Sequence, residues 1–131
     1  MIAFDTNVLL RLLLNDDKRQ ARQAQQLIDR VTEASDRVLI PDIVLCELEW
    51  VLDSVYELPR ARIIETLQRL LDAEEFTFIS TAAFGKALDE YRKRKADFSD
   101  YLIGTSAASA GATTTFTFDR VLLQSNGFSR P

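Results

Sequence analysis

Three short runs of β-branched and aromatic residues, Ile2 to Phe4, Val38 to Ile40 and Phe76 to Ile79, recur along the chain, and each leads into residues with helical periodicity. That alternation narrows the fold more than any other feature, because neighbouring parallel strands need crossover connections, usually helices. It predicts an α/β chain: a short central parallel β-sheet flanked by helices on both faces, joined by a fourth strand over Thr113 to Phe118. At 131 residues, 47% of them hydrophobic, the chain suits one domain over 1–131.

The predicted helices carry most of the polar detail. Val8 to Leu14 follows Thr6 and Asn7, both good caps, and Asp17 to about Ala34 is amphipathic, with Ala21, Ala24, Leu27, Ile28 and Val31 on one side. Asp42 is expected to cap a helix whose apolar stripe is Ile43, Val44, Leu48, Val51, Leu52 and Val55. In this reading Glu47 faces inward and Glu49 points to the other side. Leu58-Pro59 breaks that helix, and Ile63, Ile64, Leu67, Leu70 and Leu71 define the next. Thr81 to Lys95 ends in the basic run Arg92-Lys93-Arg94-Lys95. A last helix of small residues follows Asp97 and Asp100 and stops at Gly111. Gly104 inside it costs about 1 kcal/mol relative to alanine unless a close backbone approach requires it.

Composition then removes whole classes of chemistry. There is no histidine, so no Ser-His-Asp or Cys-His nucleophile, no ordinary zinc site and no paired-histidine acid and base chemistry. The single Cys46 excludes an internal disulfide and a thiolate metal cage, and points to a reducing compartment. No basic stretch followed by an apolar core opens the chain, and its longest greasy run, Val8 to Leu14, is broken by Arg11. The expectation is a cytoplasmic protein without a membrane span. With 20 acidic and 16 basic residues, the net charge of -4 offers nucleic acid no overall attraction.

Four acids occupy suggestive positions. Asp5 and Asp119 follow two different predicted strands, beyond the carboxyl ends where parallel sheets bind ligands near a switch in strand order. Glu47 sits in an apolar helix face, and Asp100 in the first turn of the small-residue helix. Each has a structural alternative: Asp5 as a helix cap, Asp119 in a turn, Asp100 complementing a helix dipole, Glu47 paired with Arg11. Together they have one economical explanation, since converging carboxylates repel unless a hard divalent cation, Mg2+ or Mn2+, sits among them. Such an ion suits attack of water on a phosphoester.

The residues that carry this pattern also resemble a known family. Phe4-Asp5-Thr6-Asn7-Val8-Leu9, Val44 to Leu52 around Glu47, Asp97-Phe98-Ser99-Asp100-Tyr101-Leu102-Ile103 and Thr115-Phe116-Thr117-Phe118-Asp119 occur in the order found in PIN-domain ribonucleases, and more narrowly in VapC-type toxins of VapBC toxin-antitoxin pairs. The resemblance implies a PIN-like fold and a metal-dependent endoribonuclease that leaves 5′-phosphate and 3′-hydroxyl ends. It makes Asp5, Glu47, Asp100 and Asp119 the acidic quartet that holds Mg2+ or Mn2+, with Thr6, Asn7, Asp97 and Thr117 in support. Asp97 has a second role open to it as a helix cap, and Gly104 departs from the alanine more usual in this helix.

Partners follow from the same resemblance: an RNA substrate, a VapB-type antitoxin and a second copy in a homodimer. Arg92, Lys93, Arg94 and Lys95 are candidates for RNA phosphate contact, although such a run is also the ordinary solvated end of a helix. The apolar residues around Leu58-Pro59, notably Trp50, Val55, Leu58 and Leu67, suit core packing or a groove that receives the antitoxin's C-terminal segment.

Three rival readings differ at named residues. A catalytically inactive PIN-fold binding module would keep the acids without cleaving RNA. A haloacid-dehalogenase-like phosphatase also begins with strand and aspartate, but wants a second aspartate where Asn7 stands. A two-component receiver domain wants its phosphoacceptor after a central strand, where Phe76 to Ile79 is followed by Ser80 and Thr81.

Overall fold

The computed structural model describes residues 1–131. The strands β1 (Ile2–Ala3), β2 (Val38–Ile40) and β3 (Phe76–Phe78) form a parallel sheet in the order β1-β2-β3, with Ile2 opposite Val38 and Val38 opposite Phe76. Around it stand six helices: α1 (Thr6–Leu14), α2 (Lys18–Glu33), α3 (Asp42–Ser54), α4 (Arg60–Asp72), α5 (Thr81–Lys93) and α6 (Phe98–Ser109). The α/β class expected from the alternation is what the chain adopts.

The sheet is small because its strands are only two or three residues long. Their side chains nevertheless seed the core: Phe4, Val38, Ile40, Phe76 and Phe78 are buried among the apolar faces of the helices. An edge-to-face series, Phe78 on Phe84 at 4.8 Å, Phe84 on Phe98 at 5.7 Å and Tyr91 on Phe98 at 5.9 Å, ties β3 through α5 to the start of α6. Arg60 closes the turn between those helices. Its Nη2 donates to the carbonyls of Tyr91, Arg94 and Ala96, each at 2.8 Å, and its guanidinium lies 3.9 Å from the Tyr91 ring centroid.

The fourth strand departs from expectation. Only Thr115–Phe116 is extended (β4), and it pairs in parallel with Phe128–Ser129 (β5) in a separate two-stranded sheet. The run alternates threonine and phenylalanine, so its propensity is high, but Phe116 and Phe118 are exposed and bring nothing into the main core. The N–H groups of Thr115 and Thr117 go instead to the carbonyls of Gly127 and Ser129. With β4 elsewhere, the main sheet has no switch in strand order, and Asp119 does not follow one of its strands.

This small sheet explains Gly104. A Cβ built there would lie 2.6 Å from the Phe128 ring, so the glycine makes room for the side chain that seats β5 on α6. The close approach is by a side chain rather than by backbone. Gly111, just past the C-cap Ala110, takes φ +103, the left-handed region that ends a helix cheaply only with glycine.

Candidate active site

Helix α1 starts at Thr6 rather than Val8, and its N-cap is Asp5 rather than Thr6 or Asn7. Asp5 Oδ1 accepts from the Val8 N–H at 3.0 Å. The carboxylate is exposed and its second oxygen has no protein partner, so capping leaves it able to do more. Thr6 is buried and donates its hydroxyl to Glu47 Oε1, which fastens α1 to α3. Asp5, Thr6, Asn7 and Glu47, with Val51, line one cavity of about 330 Å³. Two members of the predicted quartet and both hydroxyl and amide supporters are therefore neighbours.

The expected orientation of α3 is reversed. Glu47 is exposed, whereas Glu49 is only 4% exposed. The buried stripe is Val44, Leu45, Leu48, Glu49 and Leu52, while Ile43 and Val55 face solvent. Leu45 belongs to the stripe, and including it rotates the buried arc toward Glu49 and away from Ile43 and Glu47. Glu49 tolerates burial because its Oε1 accepts the Phe98 N–H at 3.0 Å, one of the unpaired donors at the start of α6. Burial pushes its pKa up, the Asp97 and Asp53 charges add to that, and the Phe98 N–H and Arg60 oppose it.

Two other expectations on this side are corrected. Arg11 does not pair with Glu47, because α2 packs alongside α1 and its approach supplies nearer partners, Asp16 and Gln20. Asp42 does not cap α3. It is the first helical residue, after the N-cap Pro41, and its buried Oδ1 has no partner, so burial pushes its carboxyl up.

The remaining acids gather at α6. Asp97 holds the N-cap position, and its N–H donates to Asp100 Oδ2 at 3.3 Å. The Asp100 pKa is raised chiefly by burial. The Asp97 N–H pulls it down, and the negative charges of Asp97 and Asp119 push it up again. Asp119 is set by a local turn: its N–H donates to Thr117 Oγ1 at 3.0 Å, and its Oδ1 accepts from the Val121 N–H at 2.8 Å. Helix α6 packs on α3, and burial, together with the charges of Asp42, Glu49 and Asp100, pushes the Cys46 thiol up to about 11. Cys46 is thus a neutral thiol at ordinary pH.

None of Asp5, Glu47, Asp97, Asp100 or Asp119 forms an ion pair with a basic residue. Their donors are all oxygens, which fits a hard divalent cation. No three acidic or thiol groups are arranged as a cage around one ion position. The set instead fits an ion held by one or two carboxylates with waters, the usual manner of Mg2+.

Comparison with known proteins gives this arrangement its family. The PIN domain family model matches residues 2–126. The chain belongs to the PIN-domain family. A curated relative, the VapC ribonuclease of Aquifex aeolicus strain VF5, is 26% identical over 120 residues, covering 92% of this chain and 88% of the relative. In this PIN domain the basic run after α5 is largely committed. The helix ends at Lys93, Arg92 bonds Asp89 and Gln68, and Arg94 bonds Glu90 and the Gln124 carbonyl, leaving Lys93 and Lys95 unpaired. Sequence reasoning missed Glu49 and Arg60, which between them position the start of α6. The signal for Glu49 was present in the Leu45-Leu48-Leu52 spacing.

Proposed function

We propose that this PIN domain is a divalent-metal-dependent endoribonuclease that acts as the toxin of a toxin-antitoxin pair. One observation carries the reading: Asp5 and Glu47 line one cavity with Thr6 and Asn7, and neither they nor Asp100 and Asp119 are paired with a basic residue. The name of the Aquifex relative agrees with it.

Asp5, Glu47, Asp100 and Asp119 would hold Mg2+ or Mn2+, one or two of them directly and the others through water, and the ion, when bound, would lower the pKa of water and offset charge on the phosphate. The chain's own groups fix the donors. The Val8 N–H orients Asp5, the Thr6 hydroxyl orients Glu47, the Asp97 N–H orients Asp100 and the Val121 N–H orients Asp119. Hydrolysis forms a bond from water oxygen to phosphorus and breaks the bond to the 3′ oxygen, which leaves as the hydroxyl. A cytoplasmic location fits an RNA substrate, and no helix is long and apolar enough to cross a membrane.

Protein partners fit the exposed apolar residues of α3. Ile43, Trp50 and Val55 face solvent, while Leu67, grouped with them from sequence, is in the core. That face suits a second copy of the chain or the antitoxin's C-terminal segment.

Labelled RNA incubated with Mg2+ or Mn2+ tests the activity. Asp5→Asn and Asp100→Asn, prepared identically to the wild type, are each expected to lose roughly 100-fold or more in rate. Undiminished cleavage by both variants would overturn the assignment and expose a contaminant. Intact RNA throughout a metal titration would instead select the inactive binding module.

A further inference from the structure

A chain with net charge -4 that takes RNA needs a cation beside its acids. Asp5 lines two cavities. The one it shares with Glu47 contains no basic residue. The other, about 450 Å³ between α1 and α2, contains Arg11 together with Asn7, Gln20 and Gln23. That is within the range of small-ligand sites and large enough for one nucleotide.

Arg11 is held in place at this cavity. Its Nε donates to Gln20 Oε1 at 2.7 Å, and its Nη1 donates to the two carboxylate oxygens of Asp16 at 3.1 and 3.2 Å. Tyr56 braces Asp16 from α3's C-terminal side, its hydroxyl donating at 3.4 Å. Nη2 makes no hydrogen bond within the protein. The Arg11–Asp16 pair is 35% and 42% exposed, where ion pairs add little to stability, so the main effect of these contacts is to orient the guanidinium. The oriented guanidinium leaves Nη2 free to donate to an anion such as a phosphate oxygen.

We propose that Arg11 binds a phosphate of the RNA strand next to the scissile phosphodiester, with the adjoining nucleotide in the α1–α2 cavity beside the Asn7 and Gln23 amides. The proposal rests on the nuclease reading of Asp5. It moves the main phosphate contact from the Arg92 to Lys95 run to the cavity that Arg11 shares with Asp5.

The test is binding of a fluorescently labelled single-stranded RNA to the full chain in Mg2+, in an Asp100→Asn background with the RNA verified intact. Arg11→Gln is expected to weaken binding about tenfold, as loss of one charge-assisted contact does. It should also reduce the slope of log Kd against log salt by roughly 0.7. Arg62→Gln, which removes the same charge from α4 outside these two cavities, should change neither. Arg11→Lys should keep the slope while binding about threefold more weakly, because it keeps the charge and loses the fork; it also serves if Arg11→Gln melts early. Unchanged affinity and slope in Arg11→Gln, or an equal change in Arg62→Gln, overturns the proposal. A wild type that binds RNA through Arg11 yet never cleaves it overturns the nuclease reading and leaves the Arg11 site standing.

Discussion

The acids of the proposed site fall into two groups built in different ways. Asp5, Thr6 and Glu47 stand where β1 passes into α1, and two short contacts, a helix cap and a hydroxyl on a carboxylate, place them. Asp97, Asp100 and Asp119 depend on distant packing. Glu49 must reach the first N–H of α6, Arg60 must gather the carbonyls before it, and Phe128 must seat the small sheet against Gly104. The first half therefore rests on one local cap and one contact between α1 and α3, whereas the second leans on packing well away from its acids and is sensitive to changes there.

That contrast is broken most severely at Glu49. Glu49→Ala leaves the buried Phe98 N–H without a partner and opens space beside it, and is expected to cost roughly 1–3 kcal/mol, toward the upper end, in denaturant unfolding. Glu49→Gln keeps an acceptor and serves as the comparison. The Glu49 pKa is raised above 4.5 in the folded chain, so the native state holds its proton to higher pH than the unfolded state. Its favourable contribution is complete below about pH 4.5 and is lost as pH rises through the folded value. Melting temperatures should show the wild type losing ground to Glu49→Gln between pH 4.5 and neutrality. A constant difference across that range would mean that the carboxyl is not protonated by burial.

Gly104→Ala comes next. Its Cβ overlaps the Phe128 ring, and overpacking of this kind costs about 1–3 kcal/mol, here toward the lower end because the ring is only partly buried and can shift. The shift carries β5, β4 and Asp119 with it, so RNA cleavage should fall by more than the loss of folded protein explains. Phe128→Leu in the same chain should restore part of it. Cleavage that follows the folded fraction alone would show that the small sheet does not position Asp119.

The smallest effect on stability belongs to the first half. Glu47 is exposed, so Glu47→Gln should change unfolding by less than about 0.5 kcal/mol while cleavage falls sharply. With Glu49→Ala showing the opposite pattern, the two glutamates of one helix divide between chemistry and architecture. Equal loss of activity in both would erase the distinction between the halves.

Much of this was legible in the residues. The alternation of apolar runs and helical periods is enough for α/β, since parallel strands cannot be joined otherwise, and three of the four predicted strands form the sheet. The glycine at 104 also signalled a close approach, although not what approaches. The rotation of α3 was only partly legible: Leu45, Leu48 and Leu52 marked the buried arc, but periodicity locates an arc only to within about a residue, and an acid at its edge is inside or outside according to what the neighbouring element offers.

By itself, the sequence determined the class of fold and the class of chemistry: without histidine or paired thiols, any catalysis here runs on oxygen ligands and hydroxyls. Only the tertiary structure decided that Glu49 is buried and Glu47 free, that Arg11 turns to Asp16 and Gln20, and that β4 leaves the main sheet for β5. The physical reason is common to all three. Each is settled by a polar group or an open space that another part of the chain presents, the Phe98 N–H, the Asp16 carboxylate past the end of α1 and the hollow at Gly104, and those come into place only once the chain has folded.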